Sequence, residues 1–171
     1  MRSLQIELRS DAVSADEAFT KISKFERYPE MVDDIRNVTV RTRDDGHLVS
    51  DWEVYFRNGP LCWSEIDYLQ PERRRILFEQ ISGDFHIFRG SWAVNEAGLG
   101  CYVQFEATFD FGIPSLTGIL DPIATRVFKE HISTIVYRLL GGVVVIGDPA
   151  TEAAVARKIA LSEGSDSALI R

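Results

Sequence analysis

LTGILDPIATRVFKEHISTIVYRLL, residues 116–140, is the stretch on which the fold turns. Ile119, Ile123, Val127, Ile132, Ile135 and Leu139 recur at close to helical spacing. Pro114 stands just ahead of the run and Gly141-Gly142 ends it, so one long helix is expected from about Leu116 to Leu140. What the chain builds before this helix decides what the helix packs against.

Before it, strands dominate. Alternating or β-rich runs lie at 37–43, 47–57, 61–69, 74–82, 85–95 and 100–111. Turn signals separate them: Asp44-Asp45-Gly46, Asn58-Gly59-Pro60, Gln70-Pro71-Glu72, Ser82-Gly83-Asp84 and 95–100. Connections this short join antiparallel neighbours, which gives a meander. A further strand at 3–9 carries Leu4, Ile6 and Leu8 on one face. Ser14 with Glu17 three residues on forms a capping box, and opens a short helix that turns Ala18, Phe19 and Ile22 inward. Tyr28-Pro29 marks a break before a second short helical turn.

The totals bound the function. Of 171 residues, 45% are apolar and 26% charged, which suits a domain with a proper core. A net charge of −7 argues against a nucleic-acid groove, which needs clustered cations. Arg73-Arg74-Arg75 follows Pro71-Glu72 and reads as a solvated turn. Cys62 and Cys101 are far apart and outside any metal-ligand spacing, so neither a zinc site nor a disulfide framework is expected, and no cofactor is implied. The N-terminus lacks an apolar signal core and no apolar run is long enough to span a bilayer, so no integral membrane segment and a cytoplasmic location are expected.

The order β-α-α, six strands and a long helix resembles the START-like helix-grip superfamily, and more narrowly the polyketide cyclase/dehydrase (aromatase/cyclase) and coenzyme-Q-binding START families. The resemblance rests on Phe19, Ile22, the segment from Phe25 through Tyr28-Pro29 to Met31, the Trp63 hairpin ending at Gln70-Pro71-Glu72, Gly90-Ser91-Trp92, and the long helix after Pro114. It covers about residues 3–140. It implies an α+β fold of the START/Bet v 1 type: a curved antiparallel sheet of about seven strands wrapped around a long C-terminal helix, with two short helices after the first strand. The ligand-cavity domain is expected at 1–142. Residues 143–171 are expected as an extension: Val143–Ile146 as a short strand, Thr151–Leu161 as an amphipathic helix, and 163–171 without order.

The family's lid follows the first helix, so the resemblance places Phe25, Tyr28 and Met31 at or over an apolar cavity. Alternation turns Trp52, Val54 and Phe56 inward, then Phe78, His86, Phe88, Trp92 and Phe105 on later strands, with Ile123 and Val127 from the helix. Small residues beside Trp92 leave room next to its ring. Residues 61–69 split into two mixed sets that hydrophobicity does not separate. The resemblance chooses Trp63, Glu65, Asp67 and Leu69 as the inner set. It also shows a departure, because Leu69 stands where the aromatases carry an arginine.

Cyclising a poly-ketone needs a base, a donor for the developing oxyanion and a shaped apolar wall. Glu65, Asp67 and His86 are the candidate acid–base groups. Two inward carboxyls two residues apart raise the pKa of at least one. Tyr28, Tyr55, Tyr68 and Ser91 are candidate donors, and His131 reads as a packing histidine on the long helix. The cyclase reading implies a hydrophobic small molecule, an acyl carrier protein and a homodimer as partners to be tested. Two other readings stay open: a carrier of a quinone, lipid or isoprenoid, and an interaction module whose interior is filled by its own side chains.

Overall fold

The computed structural model describes residues 1–56 and 59–169, with 165–169 described by their backbone only. Asn58 of the expected Asn58-Gly59-Pro60 turn and residues 170–171 of the tail lie outside the described residues. The sheet strands are β1 (Arg2–Ser10), β2 (Ile35–Thr42), β3 (Leu48–Tyr55), β4 (Pro60–Gln70), β5 (Arg75–Gly83), β6 (Ile87–Ala97), β7 (Gly100–Asp110) and β8 (Val144–Val145). The helices are α1 (Ala15–Ile22), α2 (Tyr28–Met31), α3 (Thr117–Leu140) and α4 (Pro149–Leu169). One antiparallel sheet runs in the order β2-β3-β4-β5-β6-β7-β1-β8. The helix-grip fold of the α+β class is thus present.

The sheet curves for identifiable reasons. Register shifts fall between Ile35 and Asn37 on β2 and between Ser64 and Glu65 on β4. The β5–β6 ladder holds only from Arg75↔Ala93 to Glu79↔Arg89. Beyond it the two strands separate, and the Gln80 side chain brackets Phe85, donating to its carbonyl at 2.8 Å and accepting from its amide at 3.2 Å. Gly90 on β6 sits at a close approach to its neighbours. A Cβ there would lie 2.1 Å from the Glu106 carbonyl oxygen and 2.6 Å from Cζ of Phe78.

The capping box is half made. Ser14 Oγ accepts from the Glu17 amide at 3.2 Å, while the Glu17 carboxylate pairs with Lys21 rather than reaching back. Between α1 and α2 a short 3-10 turn covers Phe25–Arg27. The extension closes back on the domain. Val144–Val145 pairs with β1 and takes the edge of the sheet, and α4 packs on α3 through Lys129–Asp148 at 2.9 Å and Lys158–Glu130 at 3.5 Å. The helix α4 runs to Leu169, past Leu161 and into the segment expected to lack order. No helix among the described residues is long and apolar enough to cross a membrane.

Candidate functional site

A chamber lies between the concave face of the sheet and α3. Tyr28, Trp52, Val54, Phe56, Trp63 and Glu65 line it, as do Phe78, Phe88, Trp92 and Phe105. These ten positions were all expected there. Phe25, also expected at the cavity, and Ile35 join them from the lid side, and α3 contributes Phe128, His131, Ile132 and Ile135. The free volume is about 60 Å³. That is far below the several hundred Å³ of a small-molecule site. The aromatic rings themselves fill most of the interior. Trp52 and Trp63, direct partners across β3 and β4, stack at 5.7 Å with parallel planes, and Phe88 stacks on Phe128 at 5.4 Å. The room expected beside Trp92 is taken by Phe105 at 4.8 Å and Tyr28 at 6.4 Å, and the gap at Gly90 by the Phe78 ring.

One face of β4 carries two buried carboxyl groups. Glu65 is buried with 4% exposure and Asp67 is fully enclosed. Trp63 Nε1 donates to Glu65 Oε1 at 2.7 Å. Trp52 Nε1 donates to Ser50 Oγ at 2.8 Å, and Ser50 in turn donates to Asp67 Oδ2 at 2.5 Å. The stacked indoles therefore hold both members of the carboxyl pair, one directly and one through a serine. Asp67 Oδ1 finds no partner among the described residues while both carboxyls are ionised.

A proton resolves this. Burial, then the side-chain hydrogen bond to Asp67 and its charge, push the Glu65 carboxyl well above the usual range, against a smaller lowering by Trp63. Burial also raises Asp67, but hydrogen bonds from Glu65 and Ser50 oppose the rise. Of the two, Glu65 is the member on which a shared proton is favoured. Asp67 does not line the chamber itself and stands behind Glu65.

On the opposite wall, His131 is buried on α3 and stacks on Phe56 at 6.3 Å. Burial, helped by the Lys158 charge, lowers its pKa to about 3, so the ring is neutral. The half-exposed Asp34 carboxylate, 3.6 Å from Nε2, does not offset the burial.

Several expected residues lie elsewhere. His86 is exposed and packs over Gly112, outside the chamber. The expectation carried strand alternation back through the β5–β6 turn, whereas Phe85 and Phe88, three apart, are the buried pair. Met31 packs on the edge of the core. Ile123 faces a separate cleft at the N-terminal end of α3, and Val127 is buried but off the chamber. The Tyr28 hydroxyl is occupied, donating to the Ile22 carbonyl at 2.6 Å. Tyr68 and Ser91 border a groove on the outer face of the sheet, and Tyr55 is exposed. Leu69 packs against the core, and no lysine or arginine among the described residues lines the chamber. No cluster suited to a metal ion occurs among the described residues.

With this geometry in hand, comparison with known proteins places the chain. The family model for polyketide cyclase / dehydrase and lipid transport matches residues 12–133. The chain belongs to that family. Membership assigns it a general role in ligand binding within a helix-grip fold. No curated protein sequence matches it. Among solved structures, a Thermus thermophilus protein is similar at 18% identity and TM-score 0.71, over 92% of this chain and 99% of that one. A START superfamily protein from Mycobacterium smegmatis is similar at 18% identity and TM-score 0.67, over 82% and 96%. The Zhui aromatase/cyclase from a Streptomyces species is similar at 16% identity and TM-score 0.65, over 82% and 92%. At these identities the likeness speaks to the fold.

Proposed function

We propose that this family member promotes cyclisation and dehydration of a flexible apolar ligand bearing ketones, with Glu65 as the proton-transferring residue and Asp67 positioning it. The observation that carries the reading is the buried carboxyl pair, Glu65 and Asp67, at an aromatic wall. Cyclisation moves a proton from a methylene carbon to a ketone oxygen as the carbon–carbon bond forms. Dehydration moves a second from the adjacent carbon to the new hydroxyl, which leaves as water. A neutral carboxyl that gives and retakes a proton serves both transfers. Asp67 keeps the proton on Glu65 and holds its orientation. With leucine at position 69 and the Trp63 and Trp52 N–H groups already donated to Glu65 and Ser50, the Glu65 hydroxyl is the donor left to stabilise a developing oxyanion.

The chamber's small volume sets a condition. A poly-ketone enters only if the lid segment 25–31 and the Phe56 ring swing outward. The lid is held by the buried Phe25 and Tyr28 rings against Trp52 and Trp92, by the Tyr28 hydroxyl, and by the Arg138 side chain, which donates to the Met31 carbonyl and at 2.8 Å to Ser162 of α4. A poly-ketone tethered to an acyl carrier protein is the form in which such a substrate would arrive.

The test supplies a poly-ketone from a minimal polyketide synthase and reads products by mass spectrometry. The wild type shifts the mixture toward cyclised, dehydrated compounds. Glu65→Gln loses at least about a hundredfold in rate, the scale of general acid–base catalysis. A product mixture unchanged by the wild type overturns the reading. A carrier of a quinone, lipid or isoprenoid is the second reading. It is favoured by a lining that is aromatic or aliphatic at every position but Glu65 and His131.

A further inference from the structure

The helix wall holds one polar group that the acid–base reading leaves unused. His131 retains 8% side-chain exposure and lines the chamber between Phe128 and Ile132. Neither Nδ1 nor Nε2 has a hydrogen-bond partner among the described residues. A buried polar atom without a partner costs stability. The packing offers no return that a phenylalanine or leucine would not supply. The position therefore points to a role that needs an imidazole.

The ring's surroundings choose its tautomer. Nε2 lies nearest a charged group, the Asp34 carboxylate at 3.6 Å, which favours the proton on that nitrogen. Nδ1 is then a free acceptor. Across the chamber stands Glu65 on β4, where burial favours the protonated form of its carboxyl. Glu65 on the sheet and His131 on the helix are the polar side chains of the lining, with aromatic rings between.

We propose that His131 Nδ1 accepts a hydrogen bond from a phenolic or enolic hydroxyl of the ligand, so that the chamber selects a hydroxylated apolar ring compound with its carbonyl turned to Glu65. Only the carbonyl end rests on the function proposed above. A site with a free acceptor discriminates against a ligand lacking the matching hydroxyl, because the acceptor then stays unpaired.

The test uses an acetylnaphthalene carrying a hydroxyl on the ring opposite the acetyl group, and the same compound without the hydroxyl. Binding is followed by calorimetry on the full chain. The wild type binds the hydroxylated probe about five- to tenfold tighter, the worth of one ordinary hydrogen bond. His131→Leu and His131→Phe bind both probes alike. A second readout needs no variant. The chain has only 3 histidines, so ring nitrogen resonances of labelled wild type resolve His131 from His47 and His86. The His131 Nδ1 signal shifts with the hydroxylated probe and stays with the other.

Equal affinity of the two probes for the wild type, or a preference that survives both substitutions, overturns the inference and leaves the role of Glu65 standing. No saturable binding of either probe overturns the inference together with the chamber. Loss of turnover in Glu65→Gln is a separate readout, so the two claims fail independently.

Discussion

The two walls of the chamber treat polar groups in opposite ways. On the sheet wall, Glu65 and Asp67 sit in a mesh of Trp63, Ser50 and Trp52 hydrogen bonds. On the helix wall, His131 meets rings and has no hydrogen-bond partner among the described residues. Burial acts on both with opposite sign. It raises the Glu65 carboxyl, which favours its protonated form, and lowers the imidazole to about 3, so the ring is neutral at pH 7. An interior built this way favours neutral groups along the chamber lining, with the Asp67 carboxyl set off it.

The largest effect comes from removing the sheet wall's anchor. Trp63→Ala loses the stack on Trp52, contacts with Phe85 and Phe88, and the N–H that Glu65 accepts. Urea unfolding should show a loss of about 3–5 kcal/mol. A loss under about 1 kcal/mol would mean that the wall repacks freely.

The pH dependence of stability separates the walls. For His131 the unfolded ring, near 6.5, binds more protons than the folded one, so its contribution is full above 6.5 and is lost as pH falls toward about 3. Asp34 and Lys158 are the charged groups that face it. For Glu65 the folded carboxyl binds more protons than the unfolded one near 4.5, so its contribution is full below 4.5 and is lost as pH rises through the folded value. Between 4.5 and 6.5 the two slopes oppose. His131→Leu should unmask a stability that declines with rising pH. Glu65→Gln should unmask one that climbs, by up to about 1.4 kcal/mol per pH unit. Parallel curves for both variants and the wild type would erase the contrast.

Ser50→Ala is a milder perturbation. It removes the donor to Asp67 Oδ2 and the acceptor for Trp52, and should cost about 1–3 kcal/mol while raising the pH at which the pair loses its proton. Chemical denaturation across a pH series reads both. The smallest effect belongs to His86→Ala, on an exposed ring outside both walls, with stability unchanged within about 0.5 kcal/mol and probe binding unaltered.

Much of the sheet wall was legible in the sequence. Alternation alone turns Trp52, Val54 and Phe56 to one side, and resemblance selects Glu65 and Asp67 where hydrophobicity is silent, because Ile66 on the other face is buried as well. The hydrogen-bond mesh was not legible, since the Ser50–Asp67 contact depends on the β3–β4 register, which pairs Leu48 with Asp67 and Ser50 with Glu65. The helix wall was read one step off. The second half of α3 is buried on two sides, toward the chamber and toward α4, so its apolar period does not mark one face. Ile123 and Val127 were chosen where Phe128, Ile132 and Ile135 face inward. His131 looked like packing because a sequence shows what surrounds a histidine along the helix and not whether its nitrogens find partners. The chamber's tightness was hidden for a similar reason, as ring stacking is set by strand separation and curvature.

The protonation of Glu65 at neutral pH is the claim from which the rest follows. Carbon-labelled glutamate carboxyls, observed by NMR in the wild type and in Glu65→Gln, test it directly. The account predicts one side-chain carboxyl that stays in its protonated position at pH 7, disappears in the variant, and moves when an apolar ketone is added. A Glu65 resonance at the ionised position at pH 7, insensitive to any ketone, would contradict it.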